Sequence, residues 1–190
     1  LPLFEQTVEI DERIDASGGV LKAPDVEAAR VSLQQLRDSG VESVAICLLH
    51  AFANSSHEQI VEQLAREAGF TEISTSSRLS PLIRIVSRGD TTVVDAYLNP
   101  ILRAYVASLR KALGDSTLRM MTSAGGLVDA DSFVGKDSIL SGPAGGVIGF
   151  SRVARQAGFE KSIGFDMGGT STDVSRYDGR YELEYETQKA

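Results

Sequence analysis

Asp166-Met-Gly-Gly-Thr-Ser-Thr-Asp173 gathers two carboxylates, two glycines and three hydroxyl side chains into eight consecutive residues. The apolar Ile163–Phe165 run before it and Val174 after it predict a buried strand, a glycine turn and a second strand, that is, a β-hairpin with a polar tip. Glycine lacks a Cβ, so Gly168 and Gly169 are expected to allow positive φ and to let backbone N–H groups approach a ligand. Thr170, Ser171 and Thr172 add hydroxyl donors. Asp166 and Asp173 are carboxylates able to hold a cation or its waters. Such a set suits a phosphate chain carrying Mg²⁺, with amides on the phosphate and carboxylates on the metal. An ordinary Gly-Gly hairpin with polar turn residues has the same spacing, and the octapeptide leaves both readings open.

The elements that must position this tip alternate along the chain. Residues 1–22 read as extended, with a turn at Ser17-Gly18-Gly19. Pro24 opens a helix whose apolar residues Val26, Ala29, Leu33 and Leu36 recur at helical spacing, and Gly40 ends it. Val41–Leu49 is nearly all apolar, as in a strand covered on both faces. Asn54-Ser55-Ser56 caps a second helix, with Ser55 and Glu58 at capping-box spacing. Ile73–Ser76 is a short strand candidate. Residues 77–90 lack periodicity and mark the expected boundary between a unit spanning 1–88 and one spanning 89–190. A long helical pattern runs from Asp90 or Thr91 to Leu113, and Asn99-Pro100 predicts a kink or a fresh helix start within it. Leu118–Met121 reads as a buried strand, and Ser141-Gly-Pro-Ala-Gly-Gly146 opens a helix ending at Gly158.

This order predicts an α/β fold with a substantially parallel sheet, in which ligands sit at the carboxyl ends of strands. Gly125-Gly126, Gly145-Gly146 and Gly168-Gly169 are expected there, as a crevice lined by backbone amides and by the N-terminus of the helix near Pro143.

Other chemistries find less support. No glycine loop ends in Gly-Lys-Ser/Thr, and Gly142, Gly145, Gly146 and Gly149 lack dinucleotide-fingerprint spacing. His50 and His57 stand seven apart without a third ligand at motif spacing, so a capping or supporting role fits better than a metal site. Cys47 sits in an apolar strand with no neighbouring base and is expected to be buried and inert. Arg84 and Arg88 could clamp an anion, bridge two domains or lie in a solvated loop. Ser123 and Ser141 precede glycines but stand outside a nucleophile elbow, which argues against a serine hydrolase.

Composition narrows the class. The 190 residues are 42% hydrophobic and 24% charged, enough to build a globular core. A net charge of −7 argues against non-specific binding to nucleic acid or anionic membranes. No apolar run reaches the roughly 20 residues that cross a bilayer. The single cysteine fits a reducing compartment, and a cytoplasmic location is expected. The chain begins at Leu1 without a methionine and ends soon after its chemically richest motif, so it is expected to be part of a longer protein.

Asp166–Asp173 together with Ser141–Gly146 resembles the hydantoinase A/5-oxoprolinase family, which includes ATP-dependent ketone carboxylase subunits. Val44–Asn54 followed by His57-Glu58, Thr91–Pro100 and Ser123–Leu127 resemble further blocks of that family. Ala124 departs from the asparagine that many relatives carry in the Ser-Asn-Gly-Gly turn. The resemblance implies an actin-like ATPase (ribonuclease H-like) fold in which two hairpins face each other across a nucleotide cleft. The first hairpin would lie outside this chain. Residues 1–88 would then be the end of the family's N-terminal domain, and 89–190 the start of its hydantoinase A domain. The implied activity is ATP-dependent opening of a cyclic amide, with ketone carboxylation or a non-catalytic nucleotide-binding module as alternatives. The implied cofactors are ATP and Mg²⁺, and the implied partner is a hydantoinase B-like subunit or domain. In that scheme Asp166 binds Mg²⁺ or orients water, and Asp173 is a second metal-associated or base residue. Gly168, Gly169, Thr170, Ser171 and Thr172 contact phosphates, while Gly145 and Gly146 line the cleft.

Overall fold

The computed structural model describes residues 3–182. The chain divides into two compact units: one runs up to Gly114 and takes in Val134–Lys136, and the other comprises Asp115–Phe133 and the chain from Asp137 on. This division follows a different line from the 88/89 boundary expected from periodicity, because one helix runs across that point.

The first unit begins with a small antiparallel pair, β1 (Arg13–Ile14) and β2 (Val20–Lys22). Its turn needs glycine at Gly18, where φ is +91°. The Asp15 carboxylate closes the turn by accepting from the Ser17 hydroxyl and from the Ser17 and Gly19 amides. Helix α1 (Val26–Asp38) starts at Asp25, whose side chain caps the Ala28 N–H. Strand β3 (Ser43–Ile46), helix α2 (Ser56–Glu67) and strand β4 (Glu72–Thr75) form a β-α-β unit with β3 and β4 parallel. Ala29 and Leu33 of α1 and Val61, Leu64 and Ala65 of α2 pack with Val44, Ile46 and Ile73 into one core. β3 is shorter than the apolar run predicts and alternates in burial, with Val44 and Ile46 buried and Ala45 exposed. Its partner strand among the described residues is β4; the α1/α2 core covers the face of Val44 and Ile46, and the opposite face is approached near Cys47, whose Sγ lies 3.7 Å from the position of a Cβ at Gly89.

Beyond the short helix α3 (Ser76–Leu79) lies α4 (Ile85–Leu113), a 29-residue helix about 43 Å long. It starts earlier than predicted and passes through Pro100 without ending, so Asn99 is not an N-cap. What holds it is a buried polar stripe: Arg88, Thr92, Asp95 and Asn99 recur at three- and four-residue spacing and are at most 5% exposed. The Asp95 carboxylate accepts from the Ser74 hydroxyl of β4 at 2.7 Å, from Asn99 Nδ2 at 3.0 Å and from the Lys136 amide at 2.8 Å. The Asn99 side-chain Oδ1 accepts from the Gly135 amide at 2.8 Å.

The predicted capping box of α2 is not formed, since Ser55 makes no side-chain capping bond. Glu58 is instead fully buried and accepts from the Leu48 amide, the Ser76 hydroxyl and the Ser77 amide. Arg88, for which the sequence leaves an anion clamp, a domain bridge and a solvated loop open, is also fully buried and donates to Ser76 Oγ and to the Leu82 and Leu48 carbonyls. Both histidines tie down the N-terminal segment: His50 Nδ1 lies 2.7 Å from the Ile14 carbonyl, and buried His57 pairs with Glu12.

The second unit contains β5 (Arg119–Met121), β6 (Leu127–Asp129), the short helix α5 (Gly135–Ser138, whose first turn begins in the other unit), α6 (Ser141–Gln156), β7 (Ser162–Met167) and β8 (Thr172–Tyr177). β5–β6 and β7–β8 are antiparallel hairpins, and both pack on α6 or its neighbouring strands. The fold is mixed α/β, with β3–β4 as its parallel pair and three antiparallel pairs among the described residues.

Candidate functional site

The predicted hairpin is present, with a regular register that decides which side chains share a face. Ser162 pairs with Tyr177, Gly164 with Ser175 and Asp166 with Asp173. Side chains of directly paired residues lie on the same side of an antiparallel ladder, so Asp166 and Asp173 stand together at the tip. Like charges placed directly opposite are unfavourable to one another unless a cation lies between them. Both carboxylates are exposed.

The tip is the four-residue loop Gly168–Ser171, closed by the Gly168 N–H donating to the Ser171 carbonyl at 2.9 Å. Thr170 and Ser171 lie in this exposed loop, separated from the carboxylate row by the Met167–Thr172 pair. Neither Gly168 nor Gly169 has positive φ, so the expected conformational need for glycine is not what places them here. An added Cβ at Gly168 would lie 3.5 Å from the Ser171 carbonyl oxygen, and one at Gly169 would meet nothing within 4 Å. Thr172 pairs with Met167, and strand alternation puts its side chain on the face opposite Asp173. That opposite face carries Ile163, Phe165, Met167 and Val174, which are 65–75% exposed. β7 is therefore not the buried strand predicted from its composition.

The carboxylate-bearing face is the one that packs. Its base row holds Tyr177, which is 3% exposed. Its middle row is Gly164, where an added Cβ would lie 2.3 Å from Cε1 and 2.5 Å from Cδ1 of Phe150 on α6. Glycine inside a strand signals close approach by another group, and Ile163-Gly164-Phe165 carried that signal without its partner being identifiable.

Helix α6 begins at Ser141 and has Pro143 in its first turn, where proline's missing N–H does no harm. Gly145 and Gly146 therefore lie within the helix. A Cβ at Gly145 would meet Met121 Cγ at 3.5 Å, so this glycine brings α6 against β5; a Cβ at Gly146 would meet nothing within 4 Å. The Thr122–Gly126 turn lies against the same helix: Gly125 has φ +79°, and a Cβ there would sit 2.8 Å from Ile148 Cδ1. Ser123 was absent from the predicted site, yet its amide and hydroxyl both donate to the Asp137 carbonyl, and its Oγ accepts from the Leu140 amide at α6's start. The structure thus brings Asp166 and Asp173 together, with Gly168–Ser171 beside them. It assigns Gly145 to helix packing.

Among the described residues no three metal-ligating side chains cluster, and no helix is long and apolar enough to cross a membrane. Two opposed carboxylates nonetheless fit Mg²⁺, which is commonly held by one or two carboxylates, with waters and phosphate oxygens completing its shell.

Comparison with known proteins places these features in a lineage. The chain is 42% identical to 5-oxoprolinase of Saccharomyces cerevisiae across 100% of its own length, covering 17% of that protein. It superposes on ATP-dependent caprolactamase from Pseudomonas jessenii with a TM-score of 0.77 and 32% identity, covering 88% of this chain and 25% of that one. It also superposes on nucleotide-free acetone carboxylase with a TM-score of 0.70 and 25% identity, again over 88% of this chain and 25% of that one. This chain therefore spans a small part of each relative's length. The hydantoinase/oxoprolinase family model matches residues 88–190 and the model of the family's N-terminal region matches residues 1–69, so the chain belongs to the hydantoinase/oxoprolinase family.

Proposed function

We propose that the chain is the part of an ATP-dependent cyclic-amide hydrolase that carries one of its phosphate-binding hairpins. The observation that carries this reading is the register placing Asp166 opposite Asp173 beside the Gly168–Ser171 loop. The 42% identity to a 5-oxoprolinase favours a lactam such as 5-oxoproline as the substrate. Residues 1–88 belong in this reading to the N-terminal domain and 89–190 to the hydantoinase A domain. The hairpin faces a second one, supplied by a part of the protein outside this chain, in an actin-like cleft.

A lactam carbonyl is a poor electrophile. In the proposed reaction its oxygen attacks the γ-phosphorus of ATP, the bond to the β,γ-bridging oxygen breaks, and ADP leaves. The phosphorylated lactam is then attacked at carbon by water. The ring C–N bond breaks and the nitrogen takes up a proton, leaving an acyl phosphate; a second water attacks its carbonyl carbon, phosphate leaves, and the open-chain amino acid results. The hairpin's contribution is positioning and electrostatics. Gly168, Gly169, Thr170 and Ser171 offer loop amides and hydroxyls to the phosphate oxygens. Asp166 and Asp173 would hold Mg²⁺, which supplies neutralisation of phosphate charge, and one of them orients the attacking water. Thr172, on the opposite strand face, contributes through its backbone. A hydantoinase B-like subunit or domain completes the substrate site, and the cell compartment is the cytoplasm.

The test is phosphate release by the full-length protein with its partner, given ATP and 5-oxoproline. Wild-type protein releases phosphate in a 5-oxoproline-dependent manner, and Asp166→Ala loses that release while keeping its fold by circular dichroism. Retained activity in Asp166→Ala would sink the site assignment. The likeness to acetone carboxylase supports a second reading, a ketone carboxylase subunit. Phosphate release stimulated by ketone plus bicarbonate but not by 5-oxoproline would select it.

A further inference from the structure

We propose that Phe150 is a positioning residue for the hairpin, with Gly164 as its receiving notch, and that this contact sets the height of the Asp166/Asp173 row above α6. The inference rests on the reading of those carboxylates as phosphate-site residues and adds the device that holds them in place.

The packed face of the hairpin has a graded construction. At its base, Ser162 pairs with Tyr177; in the middle, Gly164 pairs with Ser175; at its tip, Asp166 pairs with Asp173. Tyr177 at the base is 3% exposed, whereas both tip carboxylates are exposed. Between them the Phe150 ring presents Cε1 and Cδ1 at 2.3 and 2.5 Å from the position of the missing Gly164 Cβ. No real side chain tolerates such distances. The ring edge therefore lies directly against the strand backbone, one pleat, about 7 Å, before the carboxylates.

Position along α6 gives the contact its consequence. Phe150 is four residues from Gly146, so both project from one side of the helix, while Gly145 and Ile148 project towards Met121 and Gly125. The helix thus carries a contact for each hairpin. The β5–β6 side has Gly145 on Met121 and Ile148 on Gly125; the β7–β8 side has the Phe150–Gly164 contact. A ring has two rotatable bonds and a rigid edge, so it fixes a separation better than a flexible aliphatic chain does. Displacement of a reacting group by about 1 Å can reduce turnover about 100-fold.

The experiment uses the full-length protein with ATP and 5-oxoproline, measuring phosphate release, ATP KM and thermal midpoint for Gly164→Ala, Phe150→Ala, the double variant and Asp166→Ala. Gly164→Ala is expected to lower kcat about 100-fold, since its methyl must displace either the ring or the strand and so undo the seating. Phe150→Ala introduces no clash and is expected to lower kcat about 10-fold by leaving the hairpin unseated. The double variant is expected to recover much of the Gly164→Ala loss, because removing the ring makes room for the new methyl. A purely structural contact would lower the thermal midpoint and leave the kcat of folded enzyme unchanged. Wild-type kcat in Gly164→Ala, or losses that simply add in the double variant, would overturn the inference. If Gly164→Ala does not fold, Phe150→Ala decides: reduced kcat at a retained fold supports the inference and wild-type kcat overturns it. Full activity in Asp166→Ala would instead remove the functional reading on which the inference stands.

Discussion

Asp95 is 1% exposed and uses both carboxylate oxygens to accept from Ser74, Asn99 and the Lys136 amide. Replacing it with alanine strands these donors in a buried site, and one such loss costs about 1–3 kcal/mol. Asp95→Ala is therefore expected to lower stability by about 3 kcal/mol, measured as a fall in the urea midpoint; a change within experimental scatter would refute the account. Nothing local marks Asp95 for this role. In sequence it reads as a polar position in an amphipathic helix, because two of its three partners lie 21 and 41 residues away and only folding brings them to it. The same holds for Glu58, whose capping-box spacing predicts a local bond to its own helix end. Three donors, Leu48 just beyond β3 and Ser76 and Ser77 at the start of α3, compete for that carboxylate and take it instead. By contrast, Asp166 and Asp173 were legible because their pairing is local: a short turn with strands on both sides fixes it.

At the scale of elements, α4 and the Val134–Lys136 segment depend on one another. Gly135 lies so close to the helix that a Cβ would sit 2.7 Å from the Asp95 carbonyl oxygen and 2.9 Å from the Leu98 Cβ. Because backbone is one of the obstacles, Gly135→Ala must push the segment off the helix. The expected loss is about 1–3 kcal/mol, with the amide protection of Gly135 and Lys136 falling in hydrogen exchange. Pro100 sits inside the same helix and removes one intrahelical N–H, so Pro100→Ala is expected to raise stability by about 1–2 kcal/mol, less than proline's full helix penalty because proline also restricts the unfolded chain. An unchanged or lower thermal midpoint would contradict this. The pattern of apolar residues from Val93 to Leu113 identified the helix but not its uninterrupted passage through Pro100. Propensity predicts a kink or a fresh start there, and the buried polar stripe on Arg88, Thr92, Asp95 and Asn99 carries the helix through.

At the scale of the whole molecule, the two-hairpin reading makes a prediction about this chain alone. With one hairpin and no opposing half of the cleft, it is expected to bind ATP weakly or not at all in titration calorimetry, and micromolar affinity would contradict that reading. Acid stability has a separate, identifiable source. The Arg30 guanidinium, bonded to Glu67, holds that carboxyl below its ordinary value of 4.5, with Gln63 assisting. A carboxylate with a lowered folded pKa stabilises the fold above its unfolded pKa, and the contribution disappears as pH falls through the lowered value. Glu67→Gln is accordingly expected to flatten the loss of thermal midpoint below pH 4.5 and to have a small effect near neutrality, since the pair is exposed. An unaltered acid limb would rule this out.

The family, the mixed α/β class, the Asp166–Asp173 hairpin and the β-α-β unit from Val44 to Ile73 are determined by sequence alone. Each depends on contiguous patterns: apolar periodicity, turn residues and ordered motif blocks. Tertiary structure decides where backbone and side chains from distant segments meet. It buries Arg88 and Glu58, holds α4 through Pro100, turns Gly145 into a packing residue and places Phe150 against Gly164. These outcomes depend on long-range packing, in which a missing Cβ or a buried acceptor acquires meaning only from the group that comes to lie against it. The hairpin shows both sides of the division: its carboxylate pair follows from local register, and its seat on α6 from a contact across 13 residues of intervening chain.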